Sequence, residues 1–156
     1  MEVGRRFVLR SASATGAFAA LLAAGLLRPV QALAATWNKV AFAAKNPADA
    51  LKGIGATSTA ESKEVQLDLP QIAENGAVVP IEVSSKVPGT TSIAVIIEKN
   101  PFPLVAQFEF MEGALPYVKL NAKVGESSAV RAVADAGGKF YSASKEVKVT
   151  IGGCGG

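Results

Sequence analysis

The sequence predicts an all-β protein, an antiparallel sandwich of short strands, on three observations. From Glu64 onward, apolar and polar residues alternate with period two. Turn-forming residues recur between those runs. No helical pattern separates one run from the next, so no crossover helices are expected.

The first 34 residues are read apart from that domain. MEVGRRFVLR is basic, Ser11 to Leu27 is an uncharged stretch rich in Ala and Gly, and RPVQALA ends in small residues. That is the order of an export signal. The uncharged stretch is short and weakly apolar for a transmembrane helix, which wants ~20 predominantly apolar residues. Ala32-Leu33-Ala34 places cleavage before Ala35, and no membrane anchor is expected after cleavage. Arg5 and Arg6, followed by Phe7 and apolar Val8-Leu9, fit the twin-arginine pattern. A general secretory signal with two arginines is the alternative. Weak apolarity and Arg28 near the cleavage site favour the twin-arginine route. The expected location is the periplasm.

Residues 35–63 read as a short helical segment and a linker. Thr36 is placed to cap a turn through Ala44. Asn46-Pro47 is an N-cap followed by proline at the first helical position, and Gly53 can end that piece. Trp37, Val40 and Phe42 are expected to pack on the main domain. Residues 55–63, GATSTAESK, read as polar linker.

Residues 64–151 read as the sandwich domain. Val65, Leu67 and Leu69 alternate with Gln66 and Asp68, and Val79, Ile81 and Val83 with Pro80 and Glu82. Leu104 to Phe110, Val118 to Val124 and Val147 to Ile151 repeat the pattern, each giving a strand with one buried face. Ile93–Ile97 and Ala129–Ala134 are more continuously apolar and read as central strands. Turns fall at Asn75-Gly76, Pro88-Gly89, Asn100-Pro101, Gly113, Gly125 and Gly137-Gly138, the last a tight hairpin. Pro80 lacks a ladder donor and puts its strand at an edge. About seven or eight short strands with frequent turns suggest an immunoglobulin-like architecture. The Cys…Trp…Cys core of antibody domains is missing, because the single Trp37 lies outside the strands.

Composition narrows the chemistry. The chain has 156 residues, no His and one Cys. Without His there is no Ser-His-Asp or Cys-His group and no His-ligated metal. One Cys excludes an intrachain disulfide and an iron–sulfur cluster held by this chain alone. No cofactor is expected. The formal charge is +3, but the signal takes four of the 16 basic residues and one of the 13 acidic ones, leaving twelve of each. The balanced mature chain gives no support to nucleic-acid binding. Asp68, Glu82, Glu98 and Glu109 fall on the polar phase of strands and read as solvated face residues.

The most informative segment is the end. The strand KEVKVTI runs straight into Gly152-Gly153-Cys154-Gly155-Gly156. Glycine resists both helix and strand, so 152–156 reads as a flexible arm. Extended from Gly152, it would hold the thiol on the order of 10 Å beyond the sandwich. A slender arm with a nucleophile near its tip suits a tethered carrier better than an enzyme, whose site needs a rigid shell. No cation adjoins Cys154, Lys148 being the nearest in sequence, and the α-carboxylate is close, so the resting thiol is expected to be unactivated. Other readings stand beside this one. A prenylation signal fails, because only two residues follow the Cys. Ubiquitin-like sulfur carriers end in Gly-Gly but work in the cytosol on a β-grasp fold. A second class of function is an exported structural or adhesion-type sandwich, with Cys154 making only a disulfide homodimer.

The run Val147-Lys148-Val149-Thr150-Ile151-Gly152-Gly153-Cys154-Gly155-Gly156 resembles the tail of the SoxY family, sulfur-carrier subunits of the bacterial sulfur-oxidising (Sox) system. Leu67-Asp68-Leu69-Pro70, Ile72-Ala73-Glu74-Asn75-Gly76, Asn100-Pro101 with Pro103, and the twin-arginine signal add to the likeness, which covers essentially the whole mature chain. The resemblance implies a non-catalytic carrier of thiosulfate-derived sulfur, held on the residue matching Cys154 and moved by an arm of Gly152, Gly153, Gly155 and Gly156. It implies a heterodimer with a SoxZ-like β-sandwich subunit, exported together with it. It also implies loading by a SoxAX-type cytochrome, hydrolysis by a SoxB-type enzyme and, where present, oxidation by a SoxCD-type sulfane dehydrogenase.

Overall fold

A computed structural model of the chain describes residues 37–150. The export-signal arginines Arg5 and Arg6, the arm glycines and Cys154 lie outside the described residues. Two short helices lead, α1 (Lys39–Phe42) and α2 (Pro47–Gly53). Nine strands follow: β1 (Thr59–Glu61), β2 (Val65–Asp68), β3 (Ile72–Ala73), β4 (Val79–Ser85), β5 (Thr90–Ile97), β6 (Leu104–Glu109), β7 (Tyr117–Ala122), β8 (Ser128–Ala136) and β9 (Lys139–Val149). They form a larger sheet in the order β1-β9-β8-β5-β6, with β3 also on β9, and a smaller sheet β2-β4-β7. This is the predicted all-β sandwich, immunoglobulin-like in architecture.

The core lies between the sheets. Val79, Ile81 and Val83 of β4 meet Ile93, Val95 and Ile97 of β5, Val130 and Ala132 of β8 and Val147 of β9. The other phase of the larger sheet is covered as well: Ala94, Ile96, Leu104 and Val133 pack under Ala41, Ala50 and Ala56 of the helical segment. Both faces of β5 are therefore buried, which is why Ile93–Ile97 is apolar without alternation. β5 and β8 are interior strands, as expected.

The helical segment differs from the expectation in detail. Asn38 caps α1, its side chain accepting from the Ala41 N–H, whereas Thr36, the expected cap, lies outside the described residues. Its amide also donates to the Gly53 carbonyl at 2.9 Å, tying α1 to α2. Asn46 caps α2 and Pro47 opens it. Of the three residues expected to pack on the domain, only Phe42 does. Trp37 and Val40 are 66% and 76% exposed, and Trp37 stacks on Phe42 with ring centroids 4.2 Å apart. The small residues Ala41 and Ala50 make the close contact instead.

Two further expectations are corrected. Residues 55–63 are not all linker, since β1 pairs parallel to β9 over Thr59–Glu61. Its side chains are mostly exposed, so no alternation marks it. The chain then switches sheets: β2 joins β4, and β3 returns to β9, again parallel. Residues 59–73 thus zip one open side of the sandwich, covering an edge that would otherwise invite foreign strands. The antiparallel sandwich therefore includes two parallel pairings. Pro80 does not mark an edge strand, because β4 is the centre of the smaller sheet. It is tolerated because the β2 ladder ends at Asp68–Glu82, leaving position 80 with only β7 beside it, opposite Asn121.

The hairpin at Gly137-Gly138 is as predicted. Both residues have positive φ, +63° and +84°, between the paired Ala136 and Lys139. That is the two-residue geometry whose twist matches the flanking strands.

Candidate functional site

Cys154 and its four glycines follow β9 in sequence and lie outside the described residues, so the described part of the site is the root, the end of β9 that precedes them. Thr150 is the last described residue. Three elements hold β9 there. On one side β3 pairs Ile72 with Lys148 and Ala73 with Val149. The Lys148 N–H donates to the Gln71 carbonyl at 2.9 Å, and the Thr150 N–H to the Ala73 carbonyl at 3.1 Å. On the other side Ser127, just before β8, bonds both main-chain groups of Val149. Its Oγ accepts from the Val149 N–H at 2.9 Å and donates to the Val149 carbonyl at 3.5 Å.

Beneath the strand lies the Asn75-Gly76 turn. A Cβ on Gly76 would sit 2.8 Å from Val149 Cγ1 and 2.5 Å from the Val124 carbonyl oxygen, inside van der Waals contact. The glycine is thus required for close approach, not for a left-handed backbone, since its φ is not positive. The Val124 N–H donates to the Gly76 carbonyl at 2.7 Å. Asn100 ties the neighbouring loops together, donating to the Lys123 carbonyl at 2.8 Å and accepting from the Gly125 N–H at 3.1 Å. Val147 is buried in the core two residues before Val149. The root is therefore held by backbone hydrogen bonds, side-chain hydrogen bonds and packing together.

The carboxylates read as solvated face residues mostly find cations across the strands. Glu98 accepts from Arg131 at 2.7 Å, and Asp68 lies 3.6 Å from Lys145. Glu82 accepts from Lys119 and from the Tyr117 hydroxyl. These hydrogen bonds hold the Glu82 carboxyl below the usual carboxylate range and raise both Lys119 and Tyr117 above their ordinary values. Among the described residues, no three acidic, His or Cys side chains gather as metal ligands, and no helix is long and apolar enough to cross a membrane.

The sequence singled out Cys154 and its glycines but missed the fastening of the strand before them. Ser127 carried no signal, because a lone serine before a strand has no distinctive pattern. Gly76 was visible as a turn residue, and its second role depends on Val124 and Val149, which are distant in sequence. β3 is two residues long, too short for periodicity to show.

Two likenesses bear on this site. The family model described as "Sulfur oxidation protein SoxY" matches residues 50–154, a stretch that runs from α2 through the sandwich to the cysteine. Among solved structures, the sulfur carrier protein SoxY from Chlorobium limicola f thiosulfatophilum is 38% identical with a TM-score of 0.59, covering 66% of this chain and 96% of that one. An engineered protein aligns at 14% identity and a TM-score of 0.39, over 56% of this chain and 20% of its own. No curated protein matches the sequence. A sandwich of this topology, a single cysteine five residues after a fastened last strand in the sequence and a family match that reaches that cysteine lead to one conclusion: this chain belongs to the SoxY family of sulfur oxidation proteins.

Proposed function

We propose that the protein is a covalent sulfur carrier of periplasmic thiosulfate oxidation, with Cys154 as the attachment site and Gly152, Gly153, Gly155 and Gly156 as its arm. The observation that carries this reading is the single cysteine inside GGCGG, within the matched family region and five residues beyond a strand end fastened on both sides. A fixed root and a side-chain-free arm let one thiol be offered to several active sites while the domain stays folded.

The carrier does no catalysis in this account. A SoxAX-type cytochrome joins the Cys154 thiol to the outer sulfur of thiosulfate. One S–S bond forms, a proton leaves, and two electrons pass to the cytochrome, giving a cysteine S-thiosulfonate. A SoxB-type hydrolase then adds water across the terminal sulfur–sulfur bond, releasing sulfate and two protons and leaving a cysteine persulfide. A SoxCD-type dehydrogenase, where present, oxidises the outer persulfide sulfur to the sulfonate level. Three waters supply oxygen, and six electrons and six protons leave. A second hydrolysis frees sulfate and restores the thiol. Thiolate reactivity is supplied by the partner's pocket, because no cation stands beside Cys154 in sequence.

The export signal with Arg5 and Arg6 delivers the chain to the periplasm, folded together with a SoxZ-like subunit. The test is a Cys154→Ser variant. It should fold and be exported normally yet support no thiosulfate-dependent electron transfer. Retained activity would end the carrier reading.

A further inference from the structure

We propose that Asn75-Gly76 is a self-modification site: this turn deamidates through a succinimide, and the isoaspartate it yields loosens the end of β9. The proposal goes beyond the carrier reading and does not depend on it. The sequence holds five asparagines, and four of them are unsuited to the reaction. Ring closure needs the main-chain nitrogen of the following residue to lose a proton and reach the side-chain carbonyl carbon. Asn46 and Asn100 precede proline, whose nitrogen carries no proton. Asn38 is held at both ends of its amide, accepting from the Ala41 N–H at 3.1 Å and donating to the Gly53 carbonyl at 2.9 Å. Asn121 lies in β7, and the Ala122 that follows it is laddered opposite Val79. Asn75 alone is followed by glycine, which has no side chain to hinder the closing ring.

The turn presents each participant. Asn75 is exposed and belongs to no strand. Its Oδ1 accepts from the Ala77 N–H at 2.9 Å, which polarises the side-chain carbonyl toward attack. Among the described residues, no acceptor holds the Gly76 N–H, which supplies the nucleophile, or the Asn75 amide nitrogen, which leaves. The Gly76 nitrogen bonds to Asn75 Cγ and gives up its proton. The Cγ–Nδ2 bond breaks and ammonia departs. Water then opens the ring. Opening at Cγ leaves aspartate. Opening at the main-chain carbonyl leaves isoaspartate, whose main chain runs through the former side chain and is one methylene longer. Water enters and ammonia leaves, so neither oxidant nor reductant is needed. The added carbon has no room beneath the strand. The Gly76 carbonyl accepts from the Val124 N–H at 2.7 Å, and even a Cβ there would meet the Val124 carbonyl at 2.5 Å and Val149 Cγ1 at 2.8 Å. Gly76 must therefore move out, and Val149 loses its support from below.

The test uses the protein purified from its own cells and kept in warm, mildly alkaline buffer. Isoaspartate is counted by enzymatic methyl transfer from a labelled donor and mapped by peptide mass spectrometry. A sample unfolded in urea gives the rate of the unrestrained Asn75-Gly76 sequence. The folded protein should form isoaspartate at Asn75 within ~10-fold of that rate, because closure in this turn requires no opening of the core. A folded rate slower than that, or label appearing at Asn38 or Asn121 before Asn75, overturns the assignment. Asn75→Gln must close a larger, slower ring and should lose the label from this peptide; label that persists there also overturns it. In the modified fraction, amide exchange at Val149 and Thr150 should quicken by ~10-fold or more while β5 and β8 keep their wild-type rates. Unchanged exchange at Val149 and Thr150 would refute the loosening of β9.

Discussion

Gly76 and Val149 lie too close for any side chain between them. A methyl group on Gly76 would stand 2.8 Å from Val149 Cγ1, with the Val124 carbonyl at 2.5 Å on its other side. The contact joins the turn after β3 to the last residue of β9, three positions before the sequence becomes pure glycine and cysteine. Gly76→Ala should therefore cost about 1–3 kcal/mol, the usual range for overpacking. Urea unfolding would show it as a lower midpoint at unchanged slope. Wild-type stability in this variant would mean that the root yields easily.

Ser127 makes a subtler prediction. Its hydroxyl serves both main-chain groups of Val149. Ser127→Ala should cost about 1 kcal/mol globally, the typical net worth of a hydrogen bond. The local effect should be larger than the global one. Amide exchange at Val149 and Thr150 should quicken while exchange in β5 and β8 keeps pace with overall stability.

The fold was legible where one face is buried and the other wet. β2, β4, β7 and the end of β9 announce themselves by alternation, and β5 by its continuous apolar run under the helices. What escaped notice was short or depended on distant partners. β1 and β3 show no period because they are three and two residues long. The central place of Pro80 depends on β2 ending at Asp68, which local sequence does not reveal. The site divided in the same way. The cysteine and its glycines stand out in the sequence itself, whereas Ser127, Gly76 and β3 gain meaning only once β9 is laid between them.

The hairpin tip tests backbone geometry alone. Gly137 and Gly138 both have positive φ and a Cβ on either would meet nothing. Any loss on substitution is therefore conformational. Gly138→Ala should cost about 1–2 kcal/mol, the price of a left-handed L-residue. Gly137→Asn should be tolerated, because Asn-Gly is a favoured sequence for this turn. Thermal melts of the two variants side by side would separate them.

The exposed cluster on the smaller sheet has a pH signature. Glu82 is held below the usual carboxylate range by hydrogen bonds from Lys119 and Tyr117. A depressed carboxylate stabilises the fold above its unfolded pKa, and that contribution disappears as pH falls through its lower, folded value. Lys119 is raised above its ordinary value near 10.5, so its share is present below that pH and lost as pH climbs through the folded value. All three groups are exposed, so the energetic effect is small. NMR titration should find Glu82 among the most acidic carboxylates, and Lys119→Met should move it back toward the ordinary range. An unmoved titration would dissolve the proposed pairing.

The central claim concerns one sulfur atom. Intact-mass analysis of the mature protein, taken without reductant from cells oxidising thiosulfate, tests it most directly. The account predicts a population carrying added sulfur or a thiosulfonate group, mapped to Cys154 by peptide sequencing and removed by a thiol reductant. Only free thiol and disulfide dimer, under conditions where thiosulfate is being consumed, would contradict it.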